Sequence, residues 1–182
     1  MNNKRKLLLL SFCFLLSVIC YLPLQKVTAA YVLPYPSYMP GNKLYRVSRV
    51  IDEAKKYWYW GNLASYRYEL EQSDKALVEA KILFEYNQYL LALDALERSN
   101  IALPRVSVSL RQARDEGKNI EKYKQEFMAA LEEHKRLIVK IKKDVPEEFT
   151  WTPEKKAPQV LGLHAALSEA ERIRSDALPK LP

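Results

Sequence analysis

No cysteine lies beyond residue 20: Cys13 and Cys20 both fall near the N-terminus. The rest of the chain therefore offers no disulfide framework and no thiolate nucleophile. Glycine is equally scarce, and Gly41, Gly61, Gly117 and Gly162 stand far apart. A phosphate-cradling loop needs several glycines within a few positions, so nucleotide binding of that kind is excluded. There is no Gly-x-Ser-x-Gly elbow and no His-Glu-x-x-His pair. No hydrolase signature remains, and the expectation is a protein that is not an enzyme.

Histidine is limited to His134 and His164. A di-metal centre in a helical bundle needs Glu-x-x-His on two helices. The residues three positions earlier are Leu131 and Leu161, which cannot ligate a metal. Glu132, Glu133 and His134 are adjacent, and adjacent residues point in different directions on a helix. No metal or other cofactor is expected.

What is present starts with a leader. Lys4, Arg5 and Lys6 precede an apolar run from Leu7 to Leu22, and Thr28, Ala29 and Ala30 supply small residues for cleavage. This order reads as a secretory signal over residues 1–30. The run is short for a spanning helix of about 20 residues, so an uncleaved anchor is the lesser alternative and the only membrane attachment expected. Ser17, Val18 and Ile19 before Cys20 do not match a lipidation site.

Export changes the meaning of the charge. The whole chain is +7, but residues 1–30 hold four basic and no acidic residues, leaving +3 for the remainder. So small and well mixed a charge argues against a nucleic-acid partner. An envelope protein or polymer is the expected partner class. The pair Lys55-Lys56 and the 140–143 run, with Lys140, Lys142 and Lys143, are the candidate contacts for acidic polymers.

Periodicity predicts an all-α bundle of four or five helices with short connections. Leu44, Val47, Ile51, Ala54 and Trp58 share one face of a first helix over 43–60, with Asn42 as its N-cap. Leu63, Tyr66, Leu70, Leu77, Ala80 and Phe84 repeat every three or four residues over 62–86, and Ser73 fills the missing slot. A third helix begins near Tyr89 with Leu93, Leu96 and Leu103 on its stripe, and continues to Arg114 past a kink or break at Asn100 to Pro104. Ile120, Tyr123, Phe127, Ala130, His134, Leu137 and Ile141 mark a fourth over 119–143. The bundle is expected to span 43–146. In the C-terminal segment, 147–182, Thr152-Pro153 resembles a helix start, a helix over 159–178 carries Leu161, His164, Leu167, Ala170 and Arg174, and the end frays. Strand signals are nearly absent.

Two features carry functional expectations. Six aromatics fall between Tyr57 and Tyr68. Trp58 continues the first stripe and is expected in the core. Tyr57, Tyr59, Trp60, Tyr66 and Tyr68 either clamp the corner between two helices or offer a surface for a small ligand, glycan or partner. His134, on an apolar stripe, is expected to be hydrogen-bonded at the core edge, with pH sensing as the alternative.

The segment 31–42 is the last feature. Pro34, Pro36 and Pro40 forbid a helix and stiffen an extended run. It reads as a strap in which Leu33, Pro34, Tyr35, Pro36 and Pro40 pack on the bundle. Leu33-Pro34-Tyr35-Pro36, Met39-Pro40, Leu44-Tyr45 and Asp52 resemble the start of an uncharacterised family of exported bacterial domains of unknown function. That family typically reads Leu-Pro-Tyr-Pro-Gly, then Leu-Pro-Asp-His-Pro-Leu-Tyr, then lysine and Arg-Asp within a helix. Here Gly41-Asn42-Lys43 replaces Asp-His-Pro, Ser48 replaces the lysine and Ile51 the arginine. The resemblance spans about 31–146, more loosely around His134, Leu137 and Pro146. It implies export and a helical domain, and no activity. The resulting expectation is a non-catalytic exported helical domain that binds or scaffolds at the bacterial cell envelope. The alternative is a glycan- or small-ligand-binding bundle built on the aromatics.

Overall fold

A computed structural model describes residues 31–177. The leader, both cysteines and the last five residues lie outside the described residues. The described chain is an all-α bundle with one small hairpin. Its elements are α1 (Tyr45–Lys55), α2 (Asn62–Glu85), α3 (Tyr89–Asp115), α4 (Glu121–Asp144), β1 (Glu148–Trp151), β2 (Gln159–Gly162) and α5 (Leu163–Asp176). Among the described residues no helix is long and apolar enough to cross a membrane.

Helices α2 and α3 form the most extensive pair, and α4 and α5 close the bundle against them. The predicted α2 stripe is the buried one: Tyr66, Leu70, Ser73, Leu77, Ala80 and Phe84 all face inward. Helix α2 ends in a Schellman motif. Asn87 takes φ 57°, the Gln88 N–H donates to the Leu83 carbonyl, and the Asn87 N–H donates to that of Phe84. Satisfying two terminal carbonyls this way reverses the chain within three residues. Gly117 repeats the motif after α3, at φ 76°. There the positive φ favours a residue without Cβ.

Pro104 does not end α3, which runs through it without interruption. The ring removes one amide from the ladder. Burial of Leu103, Val106 and Leu110 on the same face holds the helix together across that gap.

Two sequence expectations fail in the tail. Residues 148–151 and 159–162 form an antiparallel hairpin, with Phe149 opposite Leu161 and Thr150 opposite Val160. Thr152-Pro153 therefore starts the hairpin loop, not a helix. Leu161 is buried, Trp151 packs on the core, and the Phe149 ring lies 4.8 Å from that of Tyr89. Tertiary packing of these apolar side chains thus overrides weak local preferences in strands of only four residues. Helix α5 starts at Leu163, not Gln159, and it belongs to the bundle rather than to a separate tail. Leu163, Leu167 and Ala170 complete the first core cluster with Leu77, Leu96 and Ile138.

A second cluster contains Tyr66, Leu70, Leu103, Leu110, Phe127 and Leu131. Four helices interrupt their apolar stripes between the two clusters. Ser73 and Asp74 lie between Leu70 and Leu77, Ser99 between Leu96 and Leu103, His134 between Leu131 and Ile138, and Arg174 between Ala170 and Ala177. Every one of these polar side chains is buried. The bundle is thus two apolar layers separated by a polar one.

Candidate functional site

The polar layer is the first cluster with chemistry. Asp74 sits at its centre. One carboxylate oxygen faces His134 Nε2 at 2.7 Å, and the other accepts from the Tyr31 hydroxyl at 2.6 Å. No described group bonds His134 Nδ1, which is buried. An imidazolium would bury an unpartnered N–H there, so the neutral ring with its proton on Nε2 fits the site. Burial holds the His134 pKa below its ordinary value; the hydrogen bond and charge of Asp74 oppose the shift, and the Arg174 charge adds to it.

Arg174 is wholly buried on α5. Its guanidinium donates to Ser99 Oγ at 2.7 Å, to the Ala170 carbonyl at 3.0 Å and to Asn100 Oδ1. Burial lowers its pKa to about 10, and the Asp74 charge opposes that. Ser73 and Ser99 close the layer, each hydroxyl donating to the other residue's carbonyl at 3.1 and 2.8 Å. These groups are enclosed and form two bonded sets, Tyr31–Asp74–His134 and Ser73–Ser99–Arg174. The layer fixes the relative heights of the helices, because a one-turn slip would bury unpaired polar groups against Leu and Ala.

Tyr31, at the head of the strap, reaches this layer, and burial beside Asp74 pushes its phenol pKa up. Met39 packs against the first core cluster. Leu33, Pro34 and Pro36 between them, and Pro40 just after, are half-buried, while Tyr35 points outward. Its expected place on the bundle is therefore corrected. Val32, Tyr35 and Tyr38 are all exposed, and a proline-stiffened run with three residues per turn puts that spacing on one outer side.

The second cluster is the surface of α1, where the largest correction falls. The expected core stripe faces away from the bundle: Leu44, Val47 and Ile51 are exposed, and so is Val50 beside them, by 66%. Helix α1 is seated by its polar side instead. The Tyr45 hydroxyl donates to Glu79 Oε1 at 2.8 Å. Arg98 of α3 grips both Glu79 oxygens at 2.7 and 3.2 Å. Asp52 pairs with Lys55 at 2.9 Å and with Lys75 of α2 at 3.8 Å, and its carbonyl accepts from the Tyr68 hydroxyl.

Both ends of α1 also differ from expectation. The Asn42 side chain accepts from the Leu44 N–H at 2.9 Å, an Asx turn that delays the helix to Tyr45. At the other end the N–H groups of Lys56, Tyr57 and Trp58 donate to carbonyls three residues back. This tighter turn ends the helix before Trp58, which faces solvent like the rest of the stripe. It is 80% exposed, not core.

The six aromatics do not form one cluster. Tyr57, Trp58 and Trp60 are exposed, the last by 86%, and the Trp60 indole N–H donates to the Tyr57 carbonyl at 2.6 Å. Tyr59 tilts against Tyr68 with centroids 5.5 Å apart. Tyr66 lies in the other direction, fully buried and edge-on to Tyr123 and Phe127. Tyr57 and Tyr68 line a cleft of about 590 Å³ between α1, α2 and α3, with Arg49, Glu69 and Arg105. Burial raises the Glu69 pKa against the opposing charge of Arg105, 3.7 Å away.

Among the described residues no group of three or more His, Cys, Asp or Glu can hold a metal ion. Sequence reasoning missed Asp74 and the direction of α1. A carboxylate one position after Ser73, on the same side as the Leu70 and Leu77 stripe, was the available signal for Asp74.

Fold and surface together define the class as an all-α helical bundle that presents an outward-facing amphipathic helix. No family model, curated protein or solved structure matches the chain significantly.

Proposed function

We propose that this is a non-catalytic, exported helical domain that docks at the cell envelope through the outer face of α1 and the adjoining Tyr57, Trp58 and Trp60. The observation that carries the reading is the inverted seating of α1. Its polar side is bonded to the bundle and its apolar side is left to solvent. Of the 19 large hydrophobic residues exposed among the described residues, seven lie between Leu44 and Trp60. A soluble surface rarely leaves so concentrated an apolar patch without a use. The leader over 1–30 and the resemblance of 31–146 to exported domains support the location.

Fractionation of cells expressing the protein tests the proposal. Wild-type chains should sediment with the envelope, and a Val47→Ser, Val50→Ser, Ile51→Ser variant should appear in the soluble exported fraction with its helical circular dichroism intact. Wild-type protein in the cytoplasm would contradict export. A variant that still sediments would contradict this surface.

A further inference from the structure

We infer that the occupant of the α1 face is the surface of an anionic phospholipid bilayer. This rests on the docking reading above and names its partner. The charge distribution points to a bilayer. Residues 31–182 carry +3, and all of it comes from 43–60, where Lys43, Arg46, Arg49, Lys55 and Lys56 face Asp52 and Glu53. Residues 61–182 hold 20 basic and 20 acidic residues and are neutral. The net charge thus sits on the same short segment as the exposed apolar stripe. Among the described residues, Lys43, Arg46, Arg49 and Lys56 have no ion-pair partner within 4.0 Å. Arg49 and Lys56 line the cleft with Glu69, which leaves Lys43 and Arg46 as the free charges beside the apolar strip.

The pattern is that of an interfacial helix. Leu44, Val47, Val50 and Ile51 make one apolar strip, and at 100° per residue Arg46 borders it on one side and Lys55 on the other. Such a helix lies in the membrane plane with its strip in the headgroup boundary and its basic side chains extended to the phosphates. Tyr57, Trp58 and Trp60 follow directly, and tyrosine and tryptophan favour that boundary, where the ring is apolar and the N–H or O–H is wet. A second copy of the chain is disfavoured, because it would bring another surface of the same charge. The inference differs from attachment through an uncleaved leader, since it places the contact on the folded domain.

The test uses wild-type and variant chains of equal length, so that residues 1–30 contribute equally. Vesicles of equimolar phosphatidylglycerol and phosphatidylcholine are compared with phosphatidylcholine alone. The wild type should bind the anionic vesicles, lose affinity with added salt, and shift its tryptophan emission to the blue. A Trp58→Ala, Trp60→Ala variant, which keeps Trp151, should lose that shift. Lys43→Ala with Arg46→Ala should weaken binding about thirtyfold, from roughly fivefold per charge. Lys122→Glu on α4 should change it little. Equal binding to neutral vesicles, or no effect of Lys43→Ala with Arg46→Ala, would overturn the inference. If vesicle binding is absent while the α1 serine variant is still released from the envelope, the bilayer is wrong and a protein or polymer partner stands.

Discussion

Asp74→Ala should destabilise the fold by about 2–5 kcal/mol, roughly 1–3 for each of the two donors it leaves without an acceptor. For a chain of this size that lowers Tm by roughly 10 °C. The carboxylate is 1% exposed and serves His134 and Tyr31 from separate oxygens. Its loss leaves both His134 nitrogens without partners and removes the buried negative charge that acts on Arg174. Asp74→Asn keeps the shape and one acceptor, and should cost less. Urea denaturation measures both, and an Asp74→Ala midpoint equal to wild type would show that the polar layer contributes nothing.

The same layer sets a pH dependence with a definite sign. Burial depresses the His134 pKa in the folded state, so the unfolded chain takes up the proton first as pH falls. Stability is complete above about pH 6.5 and declines below it, by about 1.4 kcal/mol per pH unit for one proton, until the folded-state pKa is passed. His134→Gln can still donate to Asp74 but cannot titrate, and should flatten the decline between pH 6.5 and 5. Asp74→Ala should extend the decline to lower pH, because Asp74 opposes the depression.

Arg98→Ala should cost about 2–3 kcal/mol, less than a fully buried pair because water reaches the guanidinium. Its larger consequence is local. Glu79 is 4% exposed, and it holds Arg98 through two bonds and Tyr45 through a third. Without Arg98 the buried carboxylate is under-compensated and the attachment of α1 loosens. Hydrogen exchange should accelerate across α1 while α2 and α4 stay protected. Arg98→Lys should restore this only partly, since an ammonium cannot grip both oxygens in a fork. Unchanged exchange in α1 would mean that the helix is held by something else.

These predictions concern features that differ in how plainly the sequence displays them. The α2 and α4 stripes were legible because Tyr66, Leu70, Phe127 and Ile141 recur at helical spacing and bury as spaced. The α1 stripe was equally periodic, and its direction was misread. Amphipathicity shows that a helix has two faces, and it does not say which one meets the bundle. That choice was made by Glu79 and Arg98, over 30 residues away in sequence. The polar layer was hidden for a related reason. Ser73, His134 and Arg174 each look like an isolated fault in an apolar stripe. Only packing brings the four helices to one height, where the faults become partners. The hairpin was hidden by its length, since two four-residue strands carry little alternation of their own.

The central claim is that α1 turns its apolar face to a partner outside its own bundle. A photo-reactive residue in place of Val50, activated in intact cells, tests it most directly. The account predicts adducts between the domain and another envelope molecule, lipid or macromolecule, and few from the same probe placed at Lys122. Adducts confined to the domain's own chain would contradict it, because the face would then be covered by the protein itself.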